Sequence, residues 1–486
     1  MANDFILVLD LGGPQAERMA RKLRNQHYYA EIISRKADIG LFRRKSPRGI
    51  LIAGGEDGVG TFPRAVLALG IPVLAMGGAA RMLAAAEGAR SEGILLQESA
   101  AQIRFEPCPL FDGLSDSDRY FTRVDGFALP ESYRPIATTM DGLVPAFADF
   151  DRSLYALQFY AESNDPDGAV MLSNFAEKIC GCTPVWTLEN YIDDELRFIR
   201  ERVGDRRAVV AVSGGVDSAT CALLMRRAIG DALTCVLVDN GLLRMDEADH
   251  VVETYKTELG LDVVRIDAAE RFLSRLKGLS DPVEKHRAAH DAFIETLSEY
   301  ARAQRGEPYL VKGTTYSDLL ASGASDEAYA RTFDAGHVLE PVRMLFKEEV
   351  REVGAALGLP EAISSRRSFP APGLALRCCG EVTAEKLSAL RRADRIMRDV
   401  IREADQNKRL TQYFAVMTDT RALASGGYGW VVALRAVSEQ GARFTVGKLP
   451  YDVLDRATER ILTEVPGVAR VVYDISGSAC DAVEWE

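Results

Sequence analysis

The sequence predicts an α/β protein of three segments: two doubly wound domains, each a largely parallel sheet with crossover helices, followed by a smaller α+β domain. Three observations predict this. At 486 residues the chain exceeds one ordinary core, since domains hold roughly 100–200 residues. Short apolar runs ending in Gly or Asp alternate with helical patterns twice along the chain, the signature of crossover connections. The last stretch changes character, to one long helix and then amphipathic strands.

The first alternating region opens with a strand at Phe5–Asp10 and a helix near Ala16–Asn25, then strands at Gly49–Ala53 and Ile71–Ala75 and an Ala-rich helix. Tyr133–Thr139 and Ser153–Phe159 read as further strands, and Met171–Cys180 as a helix. A Cys-Gly-Cys-Thr-Pro punctuation follows, and Thr187 can cap a new helix whose first turn carries Glu189. The first boundary is placed there, giving domains 1–186, 187–382 and 383–486. The second region carries strands at Ala208–Ser213, Leu233–Asp239, Asp262–Asp267 and Tyr309–Lys312, and a ligand is expected beyond their carboxyl ends. In the third, a helix spans Ala384–Gln406, with strands at Trp430–Arg435 and Val468–Ile475.

Composition narrows the class. Hydrophobic residues at 47% and charged residues at 27% exclude a mostly disordered chain or a fibrous repeat. The formal charge of -12 argues against non-specific attraction to nucleic acid or anionic lipid. No apolar run approaches the ~20 residues of a membrane span and the start lacks a basic leader, so a cytoplasmic protein is expected. Eight cysteines are too sparse for a secreted disulfide framework, and neither close pair, Cys180/Cys182 nor Cys378/Cys379, has zinc-site spacing.

The sharpest motif is Val212-Ser213-Gly214-Gly215-Val216-Asp217-Ser218, directly after a strand and before a helix. Two glycines let backbone amides turn inward, two hydroxyls add donors, and the helix N-terminus supplies positive potential, so the loop can cradle pyrophosphate. Asp217 can hold Mg2+. An ordinary strand-to-helix turn would account for one glycine but not for the whole string.

Ser213–Ser218 resembles the pyrophosphate loop of N-type ATP pyrophosphatases, and the surrounding chain resembles GMP synthetases. Supporting strings are Val238-Asp239-Asn240-Gly241, Lys312-Gly313-Thr314, Glu340-Pro341, Leu345–Arg351, Leu449–Asp452, Arg470–Gly477 and the final Glu484-Trp485-Glu486. The resemblance implies an amidotransferase-like domain, an ATP pyrophosphatase domain and a C-terminal dimerisation and acceptor-binding domain. It implies ATP and Mg2+ as cofactors and attack on the α-phosphorus by a carbonyl oxygen of a purine-like acceptor. Ammonia would then displace AMP. It further implies Ser213, Gly214, Gly215, Val216, Asp217 and Ser218 around pyrophosphate, with Asp217 the metal ligand. Val238, Asp239 and Gly241 would line the adenosine site. Lys347, Lys312, Gly313 and Thr314 would lie along the phosphates, Asp217 and Lys347 carry the chemistry, and Arg377 and Glu484 meet the acceptor. Bland readings stand beside these: Lys347 and Lys312 as solvated lysines, Arg377 and Arg421 as surface or interface arginines.

Two departures stand out. A glutaminase of this class needs a thiolate on a strand-to-helix elbow and a histidine to deprotonate it. The family cysteine matches Gly77 and the histidine matches Tyr160, leaving only Glu162. Glycine offers no nucleophile and neutral tyrosine is a poor base at pH 7, so no glutamine hydrolysis is expected. Gly54 and Gly55 match the family's oxyanion turn. The acceptor half is altered too. Its Ser-His-His loop is replaced within Ser322–Leu339, a Pro-Gly-Pro-Gly turn is Pro370-Ala-Pro-Gly373, and Gly-Lys-Pro-Pro is Gly477-Ser-Ala-Cys480.

The expectation is an AMP-forming ligase that lacks its own glutaminase and takes ammonia or another nucleophile from solution or from a separate amidotransferase. A homodimer is the expected assembly. Alternatives are ammonia-dependent GMP synthesis from xanthosine monophosphate, a sulfur-inserting ligase using Cys378 or Cys379, and a nucleotide-binding regulator without turnover.

Overall fold

A computed structural model describes residues 4–35, 39–55, 61–160, 166–316, 318, 337–364, 366, 369, 372–424, 427–440, 443–476 and 484–485. The chain divides into two compact units, one running to Asp193 and the other beginning at Asp194. The division falls inside helix Leu188–Val203, a little beyond the expected boundary. Thr187 does cap that helix, its hydroxyl accepting the Asn190 amide at 3.1 Å. No helix among the described residues is long and apolar enough to cross a membrane.

The first unit holds a nine-stranded sheet ordered β2-β1-β3-β4-β9-β8-β7-β5-β6. Its strands are β1 (Ile6–Asp10), β2 (Ala30–Ser34), β3 (Gly49–Ala53), β4 (Val73–Met76), β5 (Arg90–Phe105), β6 (Ser117–Ala128), β7 (Arg134–Thr139), β8 (Ala146–Asp149) and β9 (Leu154–Leu157). Strands β1, β3 and β4 are near-continuous apolar runs because they are covered on both faces, and β3 and β4 are buried at every residue. Each Ile, Leu or Val so buried contributes about 1.5–3 kcal/mol. Helix Gln15–Asn25 covers one face with Ala16, Met19, Ala20 and Leu23, an i, i+3, i+4, i+7 stripe. Only the half from β2 to β9 is parallel; β8, β7, β5 and β6 pair antiparallel. The sequence led us to expect a mostly parallel sheet. The long β5–β6 hairpin escaped it because its pairing is broken by register shifts and the first part of β5, Ile94 and Leu95 included, stays exposed, so neither alternation nor an apolar run marks it.

The second unit contains a five-stranded, all-parallel sheet in the order β12-β11-β10-β13-β14. Its strands are β10 (Ala208–Ala211), β11 (Leu233–Asp239), β12 (Val263–Asp267), β13 (Tyr309–Val311) and β14 (Val338–Leu339). The order reverses at β10, so the loop leaving β10 lies at the switch point where doubly wound sheets bind ligands. A third sheet joins β15 (Gln412–Ala424), β16 (Gly427–Gln440) and β17 (Arg443–Val446) antiparallel, with β18 (Val468–Tyr473) parallel to β16. The third segment does not form a compact unit of its own. Helix Ala384–Glu403 buries Leu387, Leu390, Ile396 and Val400 in one cluster that also holds Val236, Val238 and Leu374.

Candidate functional site

Strand β10 ends at Ala211, and the chain turns through Val212–Gly215 into helix Val216–Ile229. Gly214 sits at φ +73°, a conformation that side chains resist. The loop is knitted by its own hydroxyls. Ser218 Oγ accepts the Ser213 amide at 3.1 Å and donates to the Gly215 carbonyl at 3.2 Å, and Ser213 Oγ accepts the Gly215 amide at 3.3 Å. Gly215 is the N-cap and no side chain caps the helix, so its first amides keep their positive potential for an anion.

Asp217 stands in the first turn of this helix. Burial raises its carboxyl above the ordinary range, the Lys347 ammonium acts against that, and the Asp318 carboxylate adds to it. Lys347 Nζ lies 3.4 Å from Asp217 Oδ2, whereas Oδ1 is buried and has no hydrogen-bond partner among the described residues. An orphaned buried carboxylate oxygen costs stability and persists where a ligand satisfies it. It fits a hard cation that takes one carboxylate and completes its shell with phosphate oxygens and water, as Mg2+ does. Lys347 is brought there as the first residue of helix Lys347–Ala356, whose start is held by the Glu349 carboxylate accepting the Phe346 amide at 2.8 Å.

Gly313 lies against the same helix start. A Cβ on it would meet Ser218 N at 3.0 Å and the Asp217 carbonyl carbon at 3.1 Å, so only glycine lets the two backbones approach. Thr314 next to it is buried. Lys312, at the end of β13, has its ammonium lowered to about 8 by burial, partly offset by Glu340. At the tip of β11, Asp239 Oδ1 accepts the Gly241 amide at 3.2 Å, and Oδ2 receives Arg265 Nε at 3.0 Å. Gly241 is at φ +68°, its missing Cβ only 2.7 Å from Ala269 Cβ. The Val238 side chain belongs to the core.

Arg377 is fully buried. It grips Glu484 with two parallel bonds, Nε to Oε2 at 2.9 Å and Nη2 to Oε1 at 2.8 Å, and its guanidinium lies 3.8 Å from the Phe414 ring centre. The structure therefore joins two residues 107 apart in sequence. Arg421 is stacked on Trp430 at 4.7 Å. Cys378 is fully buried in the core cluster, its Sγ donating weakly to the Glu381 carbonyl at 3.9 Å, and Cys379 packs on the cluster of Phe414, Val416 and Ala433. That placement favours packing over thiol chemistry, which needs an accessible thiolate. Ser322–Gly336, Pro370, Ala371, Gly477–Cys480 and Glu486 lie outside the described residues.

In the first unit, β4 runs into Gly77 at φ 59°, ψ −124°, and helix Gly78–Ala86 follows at once. This is the tight strand-to-helix elbow on which a nucleophile would sit, occupied by a residue with no side chain. The Tyr160 hydroxyl accepts the Gly54 amide at 3.1 Å, so a neutral phenol engages one donor of the turn matched to the oxyanion site. Glu162 lies outside the described residues. His27 is used elsewhere, its Nδ1 2.9 Å from the Trp186 carbonyl oxygen. The Cys180 thiol is raised by burial, and that of Cys182 is raised to about 12 by burial and Asp4.

Three arginines were not foreseen from sequence. Arg366 Nη1 donates to the Gly214 carbonyl at 2.9 Å and its Nη2 pairs with Glu247. Arg391 Nε donates to Leu243 O at 2.8 Å, and Nη2 to Gly241 O. Arg265 pairs with Asp239. Each acts across 26 to 152 residues, and no local pattern distinguishes such an arginine from a surface one.

Comparison with known proteins bears on this geometry. The model of a family described as NAD synthase matches residues 188–408, and that of the GMP synthase C terminal domain matches residues 399–485. Over its whole length the chain is similar to proteins named GMP synthase [glutamine-hydrolyzing]. It is 37% identical to the one from Acetivibrio thermocellus, with 100% of both chains covered, and 38% identical to the one from Thermomicrobium roseum, with 99% of this chain and 97% of the relative covered.

Proposed function

The chain belongs to the GMP synthase family, and from that premise we propose that it is an AMP- and pyrophosphate-forming ligase that activates a purine-like acceptor and aminates it with ammonia it does not itself make. The observation that carries the reading is Asp217: a buried carboxylate oxygen without a partner, on an uncapped helix N-terminus, 3.4 Å from a lysine.

In this reading the Ser213–Ser218 loop, through the amides at the start of its helix, holds the β- and γ-phosphates, and Lys347 and Lys312 neutralise them. Asp239 and Gly241 border the nucleoside, whose base lies against the backbone of Val238. Asp217 would hold Mg2+, which when bound offsets the charge gathering on the departing pyrophosphate. Gly313 and Thr314 keep strand end and helix start in register. Arg377 and Glu484 form one rigid polar pair at which the acceptor is read. The carbonyl oxygen of the acceptor attacks the α-phosphorus, pyrophosphate leaves, and ammonia then displaces AMP. Gly77 and Tyr160 support the second half of the proposal, because neither nucleophile nor base stands at the elbow. Ammonia comes from solution or from a separate amidotransferase, and the ligase works as a homodimer.

The test uses the full chain with MgATP and a panel of xanthosine monophosphate, xanthosine and related purines. Ammonium is expected to support equimolar AMP and pyrophosphate with one acceptor, and glutamine to support none above background. ADP as product, or glutamate released from glutamine, would overturn the proposal. A second reading, amination of xanthosine monophosphate itself, is favoured by the full-length similarity to proteins named GMP synthase and is decided by the same panel.

The lowered Lys312 ammonium gives a pH signature. With its value near 8, the lysine is charged below that pH and neutral above it, so the affinity of the free protein for MgATP is expected to fall as pH rises through about 8, with a limit of about tenfold per pH unit. Lys312→Arg keeps its charge and is expected to flatten the profile. An unchanged wild-type affinity between pH 7 and 9.5 would show that Lys312 does not meet the phosphates.

A further inference from the structure

A cavity of about 350 Å³ in the second unit is lined by six arginines: Arg244, Arg366, Arg391, Arg395, Arg398 and Arg402. Four carboxylates also line it, and most are already committed. Glu247 pairs with Arg366 and accepts the Arg244 amide at 2.9 Å; Asp246 pairs with Arg395 at 2.5 Å; Asp399 pairs with Arg402 at 3.1 Å. That leaves Arg244 and Arg398 sharing Asp394, at 3.5 and 3.9 Å, too long for a hydrogen bond, while Asp394 Oδ1 accepts the Ala415 amide at 3.2 Å.

Arg244 is the telling member. Its side chain is only 9% exposed, its Nε has no hydrogen-bond partner among the described residues, and its guanidinium lies 4.2 Å from the Phe369 ring centre. Burial pulls its ionisation down to about 10, and the neighbouring Arg398 and Arg377 push the same way against the attraction of Asp394. A buried guanidinium crowded by like charges and short of acceptors is costly. The crowding is relieved by an anion with several oxygens, for which paired guanidinium forks are suited.

We propose that this cavity binds a phosphate-bearing anion, with Arg244 and Arg398 as its principal ligands. The site is distinct from the Ser213–Ser218 loop, although Arg366 belongs to the lining of one and holds the carbonyl of Gly214 in the other. It stands whether or not the ligase chemistry above is correct, because a chain without turnover would still bind the anion. The phosphate has two sources, the acceptor itself or a separate phosphorylated effector.

The test is calorimetric titration of the full chain with inorganic phosphate after the loop has been saturated with magnesium pyrophosphate. One further phosphate per chain is expected. Arg398→Ala should weaken it tenfold or more while leaving pyrophosphate affinity unchanged. Asp394→Asn, which keeps an acceptor for Ala415 but removes the competing charge, should tighten it severalfold. These opposite directions separate anion binding from general loss of stability. No second phosphate in the wild type, or no response to either substitution, overturns the proposal. Xanthosine monophosphate and xanthosine then distinguish the sources. A penalty from Arg398→Ala on the nucleotide but not the nucleoside assigns the site to the acceptor, and a penalty on inorganic phosphate alone assigns it to an effector.

Discussion

Replacing Asp217 with Asn is expected to lower pyrophosphate formation from MgATP by on the order of 10²–10³-fold while leaving the thermal midpoint unchanged or raised. The two effects separate because the carboxylate is held against its own preference. Burial raises its pKa and so disfavours the charged form, and Oδ1 has no partner among the described residues, so a neutral amide of the same shape escapes the desolvation cost and gives up only a 3.4 Å contact with Lys347. A residue kept for stability would show the reverse, with a loss of melting temperature and little change in rate. Steady-state pyrophosphate release and a melting curve on the same preparation decide between them. Retained activity in Asp217→Asn would remove this carboxylate from the proposed chemistry.

Gly214→Ala is expected to destabilise the second unit by about 2–3 kcal/mol and to abolish detectable ATP binding. The new Cβ would stand 2.2 Å from Arg366 Nη1 and 2.5 Å from Val251 Cγ2, at φ +73°. Either the loop shifts or Arg366 leaves the Gly214 carbonyl. Gly215→Ala supplies the contrast. Its backbone is an ordinary extended N-cap, and the nearest atom to a new Cβ is the rotatable Ser213 hydroxyl at 3.3 Å. That variant should lose less than about 1 kcal/mol. Chemical unfolding and equilibrium nucleotide binding measure both, and equal behaviour of the two variants would contradict the strained geometry assigned to Gly214.

Arg377, Arg421, Cys378 and Cys379 illustrate how burial changes the meaning of a residue. Arg377 and Arg421 carry the same charge, yet Arg421 is stacked on Trp430 whereas Arg377 is fully buried and locked to a carboxylate from the end of the chain. Cys378 and Cys379 likewise look reactive as a pair, but one is sealed in a core cluster and the other packs against a second. Neither distinction is written in residue type.

What the sequence determined by itself is local. Apolar runs of five to seven residues marked β1, β3 and β11 to within a residue, because strands covered on both faces must be apolar throughout. The Ser213–Ser218 string located the strand-to-helix loop at the switch point because its glycines, hydroxyls and helix start are contiguous, and the bare elbow at Gly77 was legible for the same reason. Tertiary structure alone decided everything that depends on groups distant in the chain meeting in space. It placed Lys347 on Asp217, Arg366 on Gly214 and the Tyr160 hydroxyl on the Gly54 amide, and it gathered six arginines around one cavity. It also merged the third segment with the second through one shared core and turned half of the first sheet antiparallel. The physical reason is that periodicity and propensity act over a few residues, whereas ion pairing and desolvation depend on distances set only when the whole chain has packed.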